Sequence, residues 1–371
     1  MKIIIAGDLV PTQSNIKWFM EGNILQLMGD ELVKVWKGAD IRLFNLEAPI
    51  TGYEKKIRKS GPNIKIDTRA INGIKALEPT LITLANNHIM DYGVQGLKDT
   101  VSLLSKSNIP YLGVGKNIYE AKKPVIIEKE IKIGVYVCVE NEFASASEEC
   151  AGANPVDYLA MFDDIKHLRE KCNYLIVLYH GGKEYYRYPS PMLQRVCHKM
   201  VDSGANLVVC QHTHCIGCEE NYCESKIIYG QGNFVFDGGE DEFWNEGMLI
   251  EIDLLETKEE VTYYPFEKNR GVIRLAGKEK KEEILSKYKE RTKKITDIKF
   301  LKETYNEFAK EKSISYMRTI HGYNWRAQLK NKLLGKNVDV GYSDEEYLAI
   351  QNIIECEAHR ELFLQYLKER K

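Results

Sequence analysis

Short apolar runs alternate with amphipathic segments along the first two thirds of the chain. Lys2–Ala6 is apolar and ends in Gly7-Asp8. Ile24, Leu27, Met28, Leu32 and Val35 then recur at helical spacing, which predicts a helix over Asn23–Trp36 stopped by Gly38. The alternation continues with strands at Ile41–Phe44, Thr80–Ala85, Pro110–Gly113, Tyr174–Leu178, Leu207–Val209 and Ile227–Tyr229. Helices are predicted at Ala70–Leu77, Val94–Ser107, Tyr158–Lys171 and Met192–Asp202. Pro49 and the polar stretch Tyr53–Ser60 read as a loop that pairs back as a hairpin with Asn63–Ile66. Val125–Ile127 with Lys132–Val139 reads as another hairpin, and Met248–Leu254 with Val261–Phe266 as antiparallel strands. This alternation through residue 237 predicts an α/β fold whose sheet is covered on both faces. From about Lys278 the composition shifts to Lys and Glu with apolar residues at helical spacing, which predicts three or four helices. The expected division is residues 1–270 for the α/β domain and 271–371 for a charged helical C-terminal subdomain.

Polar residues of one chemical kind collect where these strands end: Asp8, Glu47, Asn87-His88, His180, and His212 with His214. In extended backbone, residues i and i+2 point to the same side, so His212 and His214 converge just past Leu207–Val209. Open α/β sheets place ligands outside the carboxyl ends of their strands. Any one of these residues alone reads as a cap or a solvated turn residue. Five strand ends bearing such groups together point to a metal site. A mix of carboxylate, amide and imidazole suits manganese, iron or zinc better than calcium.

Composition narrows the setting. The chain has 371 residues, 44% hydrophobic and 29% charged, with a net charge of −2. These are the proportions of a globular protein in water, and the charge argues against bulk binding to nucleic acid or an anionic membrane. The start, M-K-I-I-I-A-G-D, lacks the apolar core of a signal peptide, and no stretch reaches the roughly 18 apolar residues of a membrane span. A cytoplasmic location is expected. Nine cysteines, an odd number, fit reduced thiols better than a disulfide framework. Cys210, Cys215, Cys218 and Cys223 cluster near the two histidines; they read as ordinary thiols, with a separate zinc site as the open alternative. His167 and His198 fall within helical patterns, and His321 and His359 within the charged C-terminal region; none is given a role.

The order of motifs resembles the calcineurin-like metallophosphatase superfamily, and within it the CapA-type capsule and poly-γ-glutamate biosynthesis proteins. The residues that carry the resemblance are Gly7-Asp8, Asn45-Leu46-Glu47, Ser60-Gly61-Pro62 and Ala85-Asn86-Asn87-His88 with Asp91 and Gly93. They continue with His180-x-Gly182-x-Glu184-Tyr185 and the run from Gly204 to Asp237. The match covers roughly residues 1–250. It implies an αββα sandwich of two mixed sheets flanked by helices, with one or two divalent ions. Glu47 would bridge two ions, Asp8 and His214 would complete one site, and Asn87, His180 and His212 the other. His88 would protonate a leaving group and Asp91 would orient it. Glu184, Arg187 and Asn45 are the expected substrate contacts, Arg187 because its planar fork suits phosphate or carboxylate.

The chain departs from the superfamily in two places. The opening Asp-x-His is absent, since Asp8 is followed by Leu9 and Val10, and the bridging position holds Glu where Asp is usual. The first site is therefore one ligand short. The expected function is hydrolysis of a phosphoester or related bond through metal-activated water, on a small molecule or envelope polymer bearing phosphate or carboxylate. The alternative is a non-hydrolytic metal-binding component of a polymer-synthesis assembly, docked to a partner protein through the C-terminal helices.

Overall fold

Ile3, Ile4 and Ile5 are all fully buried, so β1 (Lys2–Leu9) is covered on both faces. It lies in the middle of a seven-stranded sheet. On one side it pairs in parallel with β2 (Ile41–Leu46), then β3 (Leu81–Thr83) and β4 (Tyr111–Leu112). On the other side run β13 (Glu246–Leu254), β14 (Glu259–Asn269) and β15 (Val272–Leu275), all antiparallel. A six-stranded sheet has the order β11 (Ile216–Tyr222), β12 (Ser225–Gln231), β10 (Leu207–Gln211), β9 (Tyr174–His180), β7 (Lys132–Val139) and β6 (Val125–Glu128). Its four inner strands are parallel and its two outer pairings antiparallel. The computed structural model describes residues 1–238, 242–255, 259–320 and 343–355, together with His359, Phe363 and Leu367.

The two sheets share one apolar layer, to which β1 brings its isoleucines and the second sheet brings Val135, Val137, Ile176, Leu178 and Val209. The alternate residues of those strands, Leu175, Val177 and Val208, face a second layer. There they meet Ile165 and Leu168 of α6 (Met161–Arg169) and Val196 and Met200 of α7 (Pro191–Asp202). Burial on both faces explains why these strands read as continuous apolar runs. The first sheet is flanked by α2 (Ile24–Lys37), whose Trp36 packs on Phe44 and Phe234 at ring distances of 6.3 and 5.4 Å. Two mixed sheets flanked by helices make the expected αββα sandwich.

One local expectation fails for a visible reason, and the open alternative for the cysteines finds no donor group among the described residues. The segment 53–66 is no hairpin; its one ladder contact is a parallel bridge between Ile50 and Ile66. Its polar groups go instead to the Asp91 turn: Ile57 N donates to Asp91 O (3.0 Å) and Ile64 N to Asp91 Oδ2 (2.7 Å). The cysteine-rich segment is β11 and its entry rather than a zinc site. Cys215 and Cys218 are buried core thiols, and among the described residues no cysteine joins a group able to hold an ion.

The compact units divide the chain into Met1–Leu301 and Lys302–Lys371. In the first, α9 (Lys278–Lys294) packs on β11, with Arg291 Nε donating to Gly217 O at 2.6 Å. The second contains most of α10 (Ile298–Ile320) and α11 (Asp344–Glu355). His321 and any helix within 321–342 lie outside the described residues. No helix among the described residues is long and apolar enough to cross a membrane.

One contact fixes the upper end of β1. Its register against β2 shifts between Ile5 and Asp8, and a Cβ on Gly7 would lie 2.2 Å from the carbonyl oxygen of Gly232. A side chain there forces backbone apart. Gly7→Ala is expected to destabilise the chain by about 1–3 kcal/mol, the usual cost of overpacking, in urea unfolding of the metal-free protein. Unchanged stability would mean that the strand end relaxes freely.

Candidate metal centre

Both sheets send strand ends to one rim. The first contributes Asp8 within β1, Glu47 just after β2, and Asn87 and His88 on the turn after β3. The second contributes His180 at the end of β9 and His212 and His214 just after β10. All are buried. His180 Nε2 lies 3.2 Å from Glu47 Oε1 and 3.2 Å from Asn87 Oδ1. His214 Nε2 lies 4.0 Å from the same Glu47 oxygen, and the His180 and His212 rings are 4.8 Å apart. Among the described residues two groups could hold an ion, Glu47–His212–His214 and Asp8–Glu47–His180, each with donor atoms within 4.8 Å of one another.

Other polar groups hold these donors from behind. Asn45 Nδ2 donates to Asp8 Oδ1 (2.7 Å) and faces His180 Nδ1 (3.3 Å). Asn45 Oδ1 accepts from Asn86 Nδ2 at 3.1 Å. Asn45 thus sits beneath the ligand candidates, fully buried. His214 Nδ1 contacts Asn233 Oδ1 at 2.8 Å, which leaves Nε2 to the interior. Such partners set the tautomer and direction of a ligating imidazole.

The backbone here is unusual. His212 and His214 have φ of 82° and 56°, and Tyr185 has 61°. Side chains with a Cβ rarely adopt this left-handed region, and such strain gathers where a site fixes it. It also replaces the extended i, i+2 geometry expected for the histidine pair; the two rings still converge, 5.9 Å apart.

The donor set fits a cation. Among the described residues neither Glu47 oxygen accepts a hydrogen bond, and His212 Nδ1 is likewise buried without a partner. Burial pushes Glu47 up to about 8, with His88 opposing and Glu184 reinforcing the rise. Burial, reinforced by Glu47, raises Asp8 to about 7. The imidazoles move the other way: burial lowers His180, holds His212 well below its usual value, and takes His214 to about 3. Neutral imidazoles beside two buried carboxylates are what a divalent ion requires.

Beside this cluster, His88 Nδ1 lies 2.7 Å from Asp91 Oδ2. Lys59 forms an ion pair with Asp91 Oδ1 and comes within 3.2 Å of His88 Nδ1, its side chain only 4% exposed. Lys59 belongs to a polar loop with no periodic pattern, and its sequence neighbours Ser60-Gly61-Pro62 were the only pointer to it. An aromatic rim was also hidden in the sequence. Trp244 stacks on the His214 ring at 5.2 Å, and Phe236 and Tyr185 lie 5.9 and 6.0 Å from it. Arg187 supports this rim, donating to Ile216 O (2.9 Å) and Glu242 (3.2 Å) with its guanidinium over Phe243. Glu184 is close enough to act on the charge of Glu47. Lys268 of β14 has a buried Nζ with no hydrogen-bond partner among the described residues. Burial lowers it to about 7 against the pull of Asp8, Asp237 and Glu246. Away from the rim, His198 is paired with Glu220 and stacked on Tyr222, and His167 is exposed.

Two helix-flanked mixed sheets carry carboxylate, amide and imidazole groups at a common rim. Residues 2–238 match the family described as bacterial capsule synthesis protein PGA_cap, and the chain belongs to it. It is 30% identical over 211 residues to the PGA biosynthesis protein CapA of Bacillus subtilis (strain 168), covering 55% of each chain. It is 32% identical over 216 residues to the capsule biosynthesis protein CapA of Bacillus anthracis, covering 55% of this chain and 52% of that one. A probable polyglutamine synthesis accessory protein of Mycobacterium tuberculosis is 27% identical over 230 residues, covering 57% of this chain and 60% of that one. The chain thus spans little more than half the length of the curated relatives it matches.

Proposed function

We propose that this chain is a metal-dependent hydrolase of a phosphoester or related bond, serving the synthesis of capsule or poly-γ-glutamate-like envelope polymer. The observation that carries this reading is Glu47: a wholly buried carboxylate, with no hydrogen bond to either oxygen among the described residues, that faces the imidazoles. Asp8, Glu47, Asn87, His180, His212 and His214 would hold one or two divalent ions, with manganese, iron or zinc suited to this donor set. A divalent ion held there supplies Lewis acidity and nucleophilic water at neutral pH.

The chain's own residues do the rest. Asn45 orients Asp8 and His180 from below. Asp91, anchored by Lys59, fixes His88 through Nδ1 and leaves Nε2 to carry a proton to the leaving oxygen. Glu184 faces substrate, and Arg187 braces the aromatic rim through Phe243. We assign the chemistry to residues 1–270 and the docking of a synthesis partner to residues 271–371, where Ile320, Leu348 and Ile353 are exposed. The names of the relatives, which speak of PGA and capsule biosynthesis, support an anionic polymer or its precursor as the substrate class.

The test is metal analysis of the purified chain, followed by turnover of bis(p-nitrophenyl) phosphate and p-nitrophenyl phosphate in manganese. Tight metal with no turnover on either ester would favour a non-hydrolytic component of a synthesis assembly. His88→Ala is expected to lower kcat by about 10²–10⁴, the range for loss of a general acid, with metal content unchanged. A wild-type rate in that variant would remove His88 from the reaction.

A further inference from the structure

The polar loop that runs past the Asp91 turn carries charge that the mechanism does not use. Residues 53–65 hold five cations, Lys55, Lys56, Arg58, Lys59 and Lys65, against one carboxylate, Glu54, in a chain whose net charge is −2. Two of the five are spent within the fold. Lys65 pairs with Glu54 at 2.6 Å, and Lys59 pairs with Asp91. Lys55, Lys56 and Arg58 are exposed, and among the described residues none of them has an ion pair or a side-chain hydrogen bond.

Backbone and amide hydrogen bonds hold this loop in place. Ile57 N and Asn63 Nδ2 both donate to Asp91 O, at 3.0 and 3.1 Å, and Ile64 N donates to Asp91 Oδ2 at 2.7 Å. Asn63 Nδ2 also reaches Ile57 O at 3.3 Å, which ties the two limbs of the loop together. Exposure alternates along the limb that bears the cations: Lys56, Arg58 and Ser60 are exposed, while Ile57 and Lys59 are covered. Alternate residues of an extended chain point to opposite sides, so Lys56 and Arg58 share the outer side at a spacing of roughly 7 Å. The covered side meets the acid, with Lys59 Nζ 3.2 Å from His88 Nδ1. Arg58 is thus the immediate neighbour of a side chain that touches His88, and Lys56 lies two positions before it.

We propose that this loop is a binding strap for a polycarboxylate chain, which lies along Lys55, Lys56 and Arg58 and is thereby led to His88, so that the centre works on a polymer rather than on a single unit. This rests on the reading of the chain as acting on an anionic envelope polymer. Three cations without carboxylate partners in the fold leave their charge to a ligand. A lone carboxylate meets one of them; a chain with carboxylates repeated along its length meets all three, each contact raising the local concentration for the next. The hydrogen bonds to Asp91 fix the strap before the polymer arrives, which lowers the ordering cost of binding. Exposure keeps each contact weak, about twofold in affinity, so the strap guides a chain without trapping it.

The test compares the full chain with the triple variant Lys55→Ser, Lys56→Ser, Arg58→Ser in the binding of fluorescently labelled poly-γ-glutamate, read by anisotropy. The variant is expected to bind roughly eightfold more weakly, and added salt is expected to close the gap. Free glutamate at the same carboxylate concentration should leave wild-type binding intact. Turnover of bis(p-nitrophenyl) phosphate in manganese should be the same in both proteins, because this ester is too small to span the strap. Equal polymer binding by the two proteins would overturn the proposal, as would displacement by free glutamate or tighter binding of a single-stranded oligonucleotide of equal charge. A matching loss of ester turnover in the variant would show that the cations serve the fold of the site, and would overturn it as well. No ester turnover in either protein would count against the hydrolase reading, a different result, and the binding comparison would still decide the strap. Circular dichroism checks the fold, and the double variant Lys56→Ser, Arg58→Ser, with a loss of about fourfold, gives the same comparison if the triple variant does not fold.

Discussion

Glu47→Gln is expected to strip the chain of its divalent ion while making the metal-free protein more stable. The substitution keeps the volume of the side chain and removes its charge. In the metal-free state above about pH 8, where Glu47 is ionised, that charge is a liability, because the side chain is fully buried and neither oxygen accepts a hydrogen bond from a described residue. An amide costs less to bury and can donate toward Asn87 or His180. The expected gain is on the order of 1–3 kcal/mol, the usual penalty of a buried polar group without a partner. Metal affinity moves the other way. Loss of a partner behind a metal ligand typically costs 10–100-fold, so loss of the central carboxylate should exceed roughly 100-fold. Calorimetric titration with Mn²⁺ and thermal unfolding in a chelator read the two effects separately. Wild-type affinity in the variant would remove Glu47 from the centre and the proposed function with it.

The second large effect is a pH dependence that the ion abolishes. Burial raises Asp8 and Glu47 to about 7 and about 8, against ordinary values of 3.8 and 4.5. The folded metal-free chain therefore holds protons that the unfolded chain has released, and its stability falls as pH rises between those limits. His180, His212 and His214 are lowered by burial, so their contribution is complete above about 6.5 and is lost as pH falls. Above that value the carboxylates act against Lys268, which burial lowers from 10.5 to about 7 and whose contribution to stability rises with pH. With Lys268 replaced by Met, the metal-free protein is expected to melt on the order of 5 °C lower at pH 8.5 than at pH 6.5. With Mn²⁺ bound the carboxylates are ionised throughout, and the drop should vanish. A Tm that falls equally with and without the ion would place the titrating groups elsewhere.

The donors of this centre were legible because each follows an apolar run of strand length. Asp8, Glu47, His180 and His212 end or follow strands whose neighbours are Ile, Leu and Val, so their polarity marks an edge. Lys59 and Lys268 carry no such mark. One lies in the polar loop Tyr53–Ser60, the other in the polar run Glu267–Arg270, and neither stretch has a periodic apolar pattern. Only tertiary packing closes them off, Lys59 through the Asp91 turn and Lys268 through the burial of its Nζ. The false hairpin at 53–66 has the same origin, since its backbone groups pair with residues some thirty positions away. β11 escaped notice because cysteine, glycine and glutamate break its alternation, although Tyr222 closes a tight turn onto Ser225. The split of the donors between two sheets was likewise invisible, because periodicity gives strands but not which of them share a sheet.

That split has a mechanical consequence. Asp8, Glu47 and Asn87 belong to one sheet, and His180, His212 and His214 to the other. An ion gripped from both sides would work as a rivet across the seam of the sandwich, added to the apolar packing that already joins the layers. Amide exchange should then slow at the ends of β1 and β10 together when metal is added. Protection at only one of them would mean that the rivet is fastened to a single plate.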